Sequence, residues 1–223
     1  LNGGSEGGRE AVAFLRSLGK MLDQGVSEAR VTVKWDGAPA IICGVNPDNG
    51  RFFVGTKSVF NKVNPKISYS EDDVERMYPP GQLAEKLKDA YKYLSTLSIP
   101  NVVQGDLLFT DDKYEANIGG ETCIAFQPNT IVYAVPKDSD IGKKIEDAKF
   151  GIVFHTQYSG RTLDTMSASF GNINIQGNTN VFVTSSDFKN ASGEANMSSQ
   201  EKTTYMNLVN KTEGSLKQAS RRS

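Results

Sequence analysis

The stretch RVTVKWDGAPAIICG, residues 30–44, reads as two strands that meet at a tight turn. From Arg30 to Trp35 the side chains alternate. Val31, Val33 and Trp35 point to one side, and Thr32 and Lys34 to the other. Asp36 continues the lysine's side, and Gly37 permits a tight turn or a close backbone approach to a ligand. Residues 38–44, APAIICG, form the returning strand, and small side chains directly after the lysine leave room beside the backbone. Burying an ammonium is costly unless it is paired. A lysine at the rim of a sheet therefore points to chemistry, because desolvation or a nearby cation lowers its pKa and frees a nucleophilic amine. The plainer alternative is a surface lysine followed by an Asp-Gly hairpin turn.

Outward from this hairpin, the order of patterns is helix, strands, helix, strands. Residues 9–22 read as a helix, with Val12, Leu15, Leu18, Met21 and Leu22 near one face. Strands follow at 38–44 and 51–56, with the turn cluster VNPDNG between them. Ser70-Glu71-Asp72-Asp73 has the form of a helix start, with a capping hydroxyl and acids in the first turn. Pro79-Pro80-Gly81 breaks the chain, and Leu83, Leu87, Ala90, Tyr91, Leu94 and Leu97 then mark an amphipathic helix. After Pro100 come the strand-like runs NVVQGDLLF, ETCIAFQ, TIVYAV and FGIVFHT, with a short helix at 138–149 before the last. Residues 163–196 are polar, with one apolar run at 181–184, and a weak amphipathic pattern covers 198–218. The expectation is an α+β fold, a mostly antiparallel sheet flanked by helices. Its core is expected in residues 1–160, with 161–223 a polar extension or the incomplete remainder of the same domain.

Composition narrows the function. The chain has 223 residues, 38% hydrophobic and 23% charged, which describes an ordinary globular protein. Net charge is −1, so any nucleic-acid contact must use a local patch. Residues 51–70 supply one, with Arg51, Lys57, Lys62 and Lys66 and no acid; a solvated face is the alternative reading. One histidine and two distant cysteines, Cys43 and Cys123, argue against a structural zinc site and for two buried thiols. No apolar run is long enough to span a membrane, and no signal-peptide pattern is present, so a cytoplasmic setting is expected. The chain opens on Leu1 rather than Met and is expected to be a piece of a longer protein.

The Lys34-x-Asp36-Gly37 motif resembles the signature of the lysine nucleotidyltransferases, the ATP-dependent DNA and RNA ligases and the mRNA capping enzymes. VKWDGAPA, GTKS and QGDLLF narrow the resemblance to ligase-like proteins of T4-like phages. The resemblance implies a ligase-type adenylation domain that uses ATP and Mg²⁺ and acts on a nucleic-acid end. It implies Lys34 as the catalytic nucleophile, with Asp36 and Gly37 beside the nucleotide. Lys57, twenty-three positions after Lys34, matches the family's basic nucleotide contact. Asp106 in VVQGDLLF matches an acid that binds the ribose or a metal, although the family has Glu there. FGIVFHT is similar to the strand that stacks the base, with Phe154 or His155 as the stacking residue, or to a fourth motif with Phe150 in place of Glu. No strand bearing Lys-x-Lys follows residue 156, so weak nucleotide binding, slow self-adenylylation and no strand sealing are expected. A capping-type guanylyltransferase using GTP and a non-enzymatic binding relative are the rival readings.

Overall fold

The computed structural model describes residues 37–171 and 173–185. The expected helices at 9–22 and 198–218, and the strand at 30–35, lie outside the described residues. Strands β1 (Ala40–Val45) and β2 (Phe52–Gly55) are followed by a 3₁₀ turn at Lys57–Phe60 and helices α1 (Glu71–Met77) and α2 (Gln82–Leu94). Then come β3 (Val102–Phe109), β4 (Tyr114–Ile118), β5 (Glu121–Phe126), β6 (Tyr133–Pro136), helix α3 (Asp140–Asp147) and β7 (Phe150–Ser159). A second 3₁₀ turn, Leu163–Thr165, precedes β8 (Ser167–Phe170) and β9 (Val181–Ser185). The fold is α+β. Two compact units divide it: Val33–Ala116 with Cys123–Phe188 form one, and of the other only Asn117–Thr122 is described.

The main sheet runs β2-β1-β3-β7-β8, with β9 also paired to β7; a three-stranded sheet runs β4-β5-β6. The main sheet is mixed, because β9 lies parallel to β7 while β8 lies antiparallel to its other half. β3 is the central strand, and its sequence explains why. Val102, Val103, Leu107, Leu108 and Phe109 are all at most 2% exposed, which needs cover on both faces.

The capping hydroxyl and acids of Ser70-Glu71-Asp72-Asp73 predict a helix start, and Ser70 Oγ accepts from the amide of Asp73 at 3.1 Å, with Glu71, Asp72 and Asp73 in the first turn. In α2 the buried stripe is Ala84, Leu87, Ala90 and Leu94, whereas Leu83, read as its first member, is 41% exposed. Helix phase corrects that reading: a residue preceding Ala84 by one position lies about 100° away around the axis.

One face of the main sheet is covered by the helices. Leu87, Ala90 and Leu94 pack there with Ile41, Cys43, Val103, Leu107, Phe150, Ile152 and Phe154. The other face carries two separate apolar clusters. Ile42, Phe53, Val59, Val102 and Leu163 form the first, beneath the 3₁₀ turns. Leu108, Phe109, Phe126, Tyr133, Ile145 and Val153 belong to the second, with α3 and the small sheet. Along β3 these clusters begin at Val102 and Leu108, and neither contains Gln104 or Asp106, which lie between. The polar gap between the two clusters is where the candidate site lies.

Candidate functional site

Gly37 packs against the sheet with no room for a side chain. A β-carbon there would meet the Leu107 carbonyl oxygen at 2.2 Å and the Asp106 β-carbon at 3.3 Å. The adjoining backbone continues the contact. The Ala38 amide donates to Leu107 at 3.1 Å, the Leu107 amide donates to Pro39 at 3.1 Å, and Ala40 pairs with Asp106. The Ala38–Pro39 peptide is cis. Lys34 and Asp36 lie outside the described residues.

Asp106 and His155 come together across the β3–β7 ladder. Gln104 pairs with Thr156 and Gly105 with Phe154, so His155 is one extra residue in β7, a β-bulge. Bulges re-aim side chains, and this one puts His155 Nε2 3.3 Å from Asp106 Oδ1. His155 Nδ1 lies 2.7 Å from Thr156 Oγ1. An ionised Asp106 needs a proton on Nε2; a neutral ring then leaves Nδ1 to accept from the Thr156 hydroxyl. The two side chains are 20% and 25% exposed, enough to be reached from solvent and little enough to be held. Beside them Tyr158 donates its hydroxyl to Gln104 Oε1 at 2.6 Å, and burial raises the pKa of that phenol.

The other site residues read from sequence fall in different places. Lys57 opens the 3₁₀ turn after β2, with Thr56 as its cap. Gly55 pairs with Ile42, and two positions toward the same end Ala40 pairs with Asp106. Lys57 itself lies two residues past the end of that ladder, in the 3₁₀ turn rather than on a strand. It is exposed. Phe154 is 0% exposed on the helix-covered face, packed where a β-carbon on Gly105 would meet its ring at 2.9 Å. A base cannot stack on it, because core packing leaves no open ring face. Of the pair offered for stacking, only His155 faces the polar gap.

The basic segment is partly spent within the fold. Arg51 lies 4.4 Å over the Tyr69 ring and Lys66 lies 5.0 Å over Tyr78, both cation–π geometries. Lys57 and Lys62 stay exposed and are the cations available to a polyanion. A cleft of about 980 Å³ opens beside Ala38 and Pro39, lined by Gln82, Lys86, Phe109 and Asp112. It does not contain Asp106 or His155. Lys86 is committed there, bonding Thr110 Oγ1 at 2.5 Å and Asp112 Oδ2 at 3.4 Å. Cys43 and Cys123 are both buried, as expected, and burial pushes the Cys43 thiol far above its usual range. Among the described residues no helix is long and apolar enough to cross a membrane.

Sequence reading missed Thr156 and the exposed Phe170 that pairs with it. The alternation within FGIVFHT gave no sign of the bulge that brings His155 to Asp106. No curated protein and no solved structure matches the chain. A family model described as "Family of unknown function (DUF6267)" matches residues 1–222, and the chain belongs to that family.

Proposed function

We propose that this chain is a ligase-like nucleotidyltransferase in which Lys34 carries the nucleotide. The observation that supports this most is the seating of Gly37 against Asp106 and Leu107. Lys34 precedes Gly37 by three positions, at most about 11 Å of extended backbone. That chain length limits how far the motif lysine can be from Gly37, whose own neighbours are Asp106 and Leu107.

In this reading Lys57 draws the triphosphate by charge, and Asp106, oriented by His155, accepts a ribose hydroxyl. The neutral Lys34 amine attacks the α-phosphorus of ATP. A P–N bond forms, the bond to the β-phosphate oxygen breaks, pyrophosphate leaves, and the amine proton goes to solvent. A 5′-phosphate oxygen of a nucleic-acid end then attacks the same phosphorus, the P–N bond breaks, and AMP is joined to that end.

Mg²⁺ suits one carboxylate plus substrate phosphates rather than a cage of protein ligands. Among the described residues no group of three His, Cys, Asp or Glu could hold a metal alone. Asp106 would contribute one oxygen to an ion brought in with the nucleotide, and that ion would neutralise phosphate charge. Asp36 is the second acid of the motif and lies outside the described residues. The cytoplasm is the setting that supplies both ATP and Mg²⁺.

The test is intact-mass measurement after incubation with Mg²⁺ and either ATP or GTP. The expected result is an acid-labile gain of one AMP, absent in Lys34→Ala. A gain of GMP alone would give the guanylyltransferase reading. No gain with either nucleotide would leave the chain a binding relative of those enzymes.

A further inference from the structure

The cleft of about 980 Å³ lies where the chain enters the described part of the fold. Ala38 and Pro39, directly after Gly37, form part of its wall. Leu107 and Phe109, both at most 2% exposed, line it from the core, and Leu83 and Pro128 extend the apolar lining. Leu83 is 41% exposed because helix phase keeps it off the buried stripe of α2. One exposed leucine is ordinary on a protein surface. A concave, mostly apolar surface with a few polar groups is the general form of a binding site.

The lining also says what kind of occupant it suits. Its charged groups are already paired: Lys86 meets Asp112 at 3.4 Å, and Glu85 meets Lys88 at 3.0 Å. An ionic ligand would have to displace these partners, whereas an uncharged ring would not. Gln82 and Gln127 contribute side-chain amide oxygens to the cleft. Such an oxygen can accept from an indole N–H, the one polar group of a tryptophan ring that needs a partner on burial.

The chain has one tryptophan, Trp35. It lies outside the described residues, two positions before Gly37, at most about 7 Å of extended backbone. Gly37 is fixed against the carbonyl of Leu107, itself a residue of the cleft. Val33–Ala116 and Cys123–Phe188 form one compact unit, so Trp35 belongs to the same unit as every residue of the lining. A ring tethered so closely has an effective concentration on the order of millimolar, which a free ligand seldom matches. The alternation of 30–35 sets Trp35 opposite Lys34. An indole turned into the cleft therefore turns the lysine away from the apolar walls.

We propose that the cleft is the seat of the chain's own Trp35, and that the seated indole is a positioning residue for Lys34. The seat stands independently of the nucleotidyl-transfer reading; the positioning role rests on that reading.

A single tryptophan makes fluorescence of the whole chain report on this one site. The expected emission is blue-shifted from that of the urea-unfolded chain and shielded from acrylamide. Leu83→Glu puts a carboxylate into the cleft wall at a half-open position in the first turn of α2, where an acid suits a helix start. It is expected to red-shift the emission and to quicken quenching. Val63→Glu makes the same change at a residue 76% exposed and outside the cleft, and is expected to alter neither. Solvent-exposed emission in the unaltered chain overturns the proposal and leaves the cleft to an outside ligand. Shielded emission that Leu83→Glu does not move, or that both substitutions move equally, overturns it too. The positioning role is read separately, from the rate of adduct formation at Lys34. Trp35→Ala is expected to slow it about tenfold at an unchanged half-maximal ATP concentration, with Trp35→Phe recovering most of the rate. An unchanged rate in Trp35→Ala refutes the positioning role and keeps the seat. A chain that gains no nucleotide in any form, yet shows the Leu83→Glu shift, refutes the transfer chemistry and keeps the seat as well.

Discussion

His155 Nε2 stands 3.3 Å from Asp106 Oδ1 because β7 carries one residue more than the stretch of β3 it faces. The inserted residue turns a histidine onto the face of the carboxylate and leaves Phe154 to the core. The pair is held in turn by Thr156. His155 acts through Asp106 and is a positioning residue. His155→Ala is expected to slow nucleotide adduct formation about tenfold, with His155→Asn recovering part of the loss. A displaced carboxylate should raise the ATP concentration needed for half-maximal rate. An effect on thermal stability with no change in that concentration would show a purely structural role.

Gly37→Ala should destabilise the fold by about 2–3 kcal/mol, the usual cost of forcing a methyl group into packed structure. The clash is with the backbone carbonyl of Leu107, which cannot swing aside like a flexible side chain. Urea denaturation of the two proteins checks this. Equal midpoints would mean that Gly37 does not sit against β3 in solution.

Lys113 tests how α3 is anchored. Its ammonium donates to the carbonyls of Ile145 at 2.7 Å and Glu146 at 2.9 Å, and also to Ala148, at the C-terminal end of the helix. The same group lies 5.0 Å over the Phe109 ring. Cations are favoured at helix C-termini, where backbone carbonyls lack helical partners. Lys113→Met keeps the aliphatic stem and removes the donors, and should cost about 2 kcal/mol. Hydrogen exchange should show faster opening of amides in 140–147, and unchanged exchange there would count against the cap.

Cys43 gives stability a pH dependence whose sign is fixed. Burial raises its folded-state pKa well above the ordinary thiol value of about 9.0. Below that value both folded and unfolded chains hold the thiol proton, and the residue makes no difference with pH. Above it the unfolded chain releases the proton while the folded chain keeps it, so stability falls as pH rises. Cys43→Ala should show a shallower decline between pH 9 and 10, by at most about 1.4 kcal/mol per pH unit. Parallel curves for the two proteins would contradict a buried protonated thiol.

Much of the fold was legible where burial leaves a mark on sequence. The apolar runs at 102–109 and 150–156 became β3 and β7, and Ser70 with its three acids became the start of α1. β4 and β8 were not legible. Residues 114–118 and 167–170 are mostly exposed, so nothing imposes an apolar alternation on them. The candidate site was legible in part. Asp106 and His155 were each singled out, but their contact depends on a one-residue register shift that period-2 reading cannot detect. Phe154 was misassigned for the same kind of reason, since an aromatic residue in a strand reads alike whether its ring faces a ligand or the core. The cations of 51–70 were visible as charge, whereas the use of Arg51 and Lys66 against tyrosine rings is a tertiary contact between segments.

The central claim is that Lys34 is the nucleotidylated residue, and peptide-level mass spectrometry tests it most directly. The chain is incubated with ATP and Mg²⁺, digested under neutral conditions that preserve a phosphoramidate, and fragmented to locate the added mass. The account predicts AMP on Lys34 in the peptide containing Trp35-Asp36-Gly37. AMP on any other lysine, or none on a chain that has consumed ATP, would contradict it.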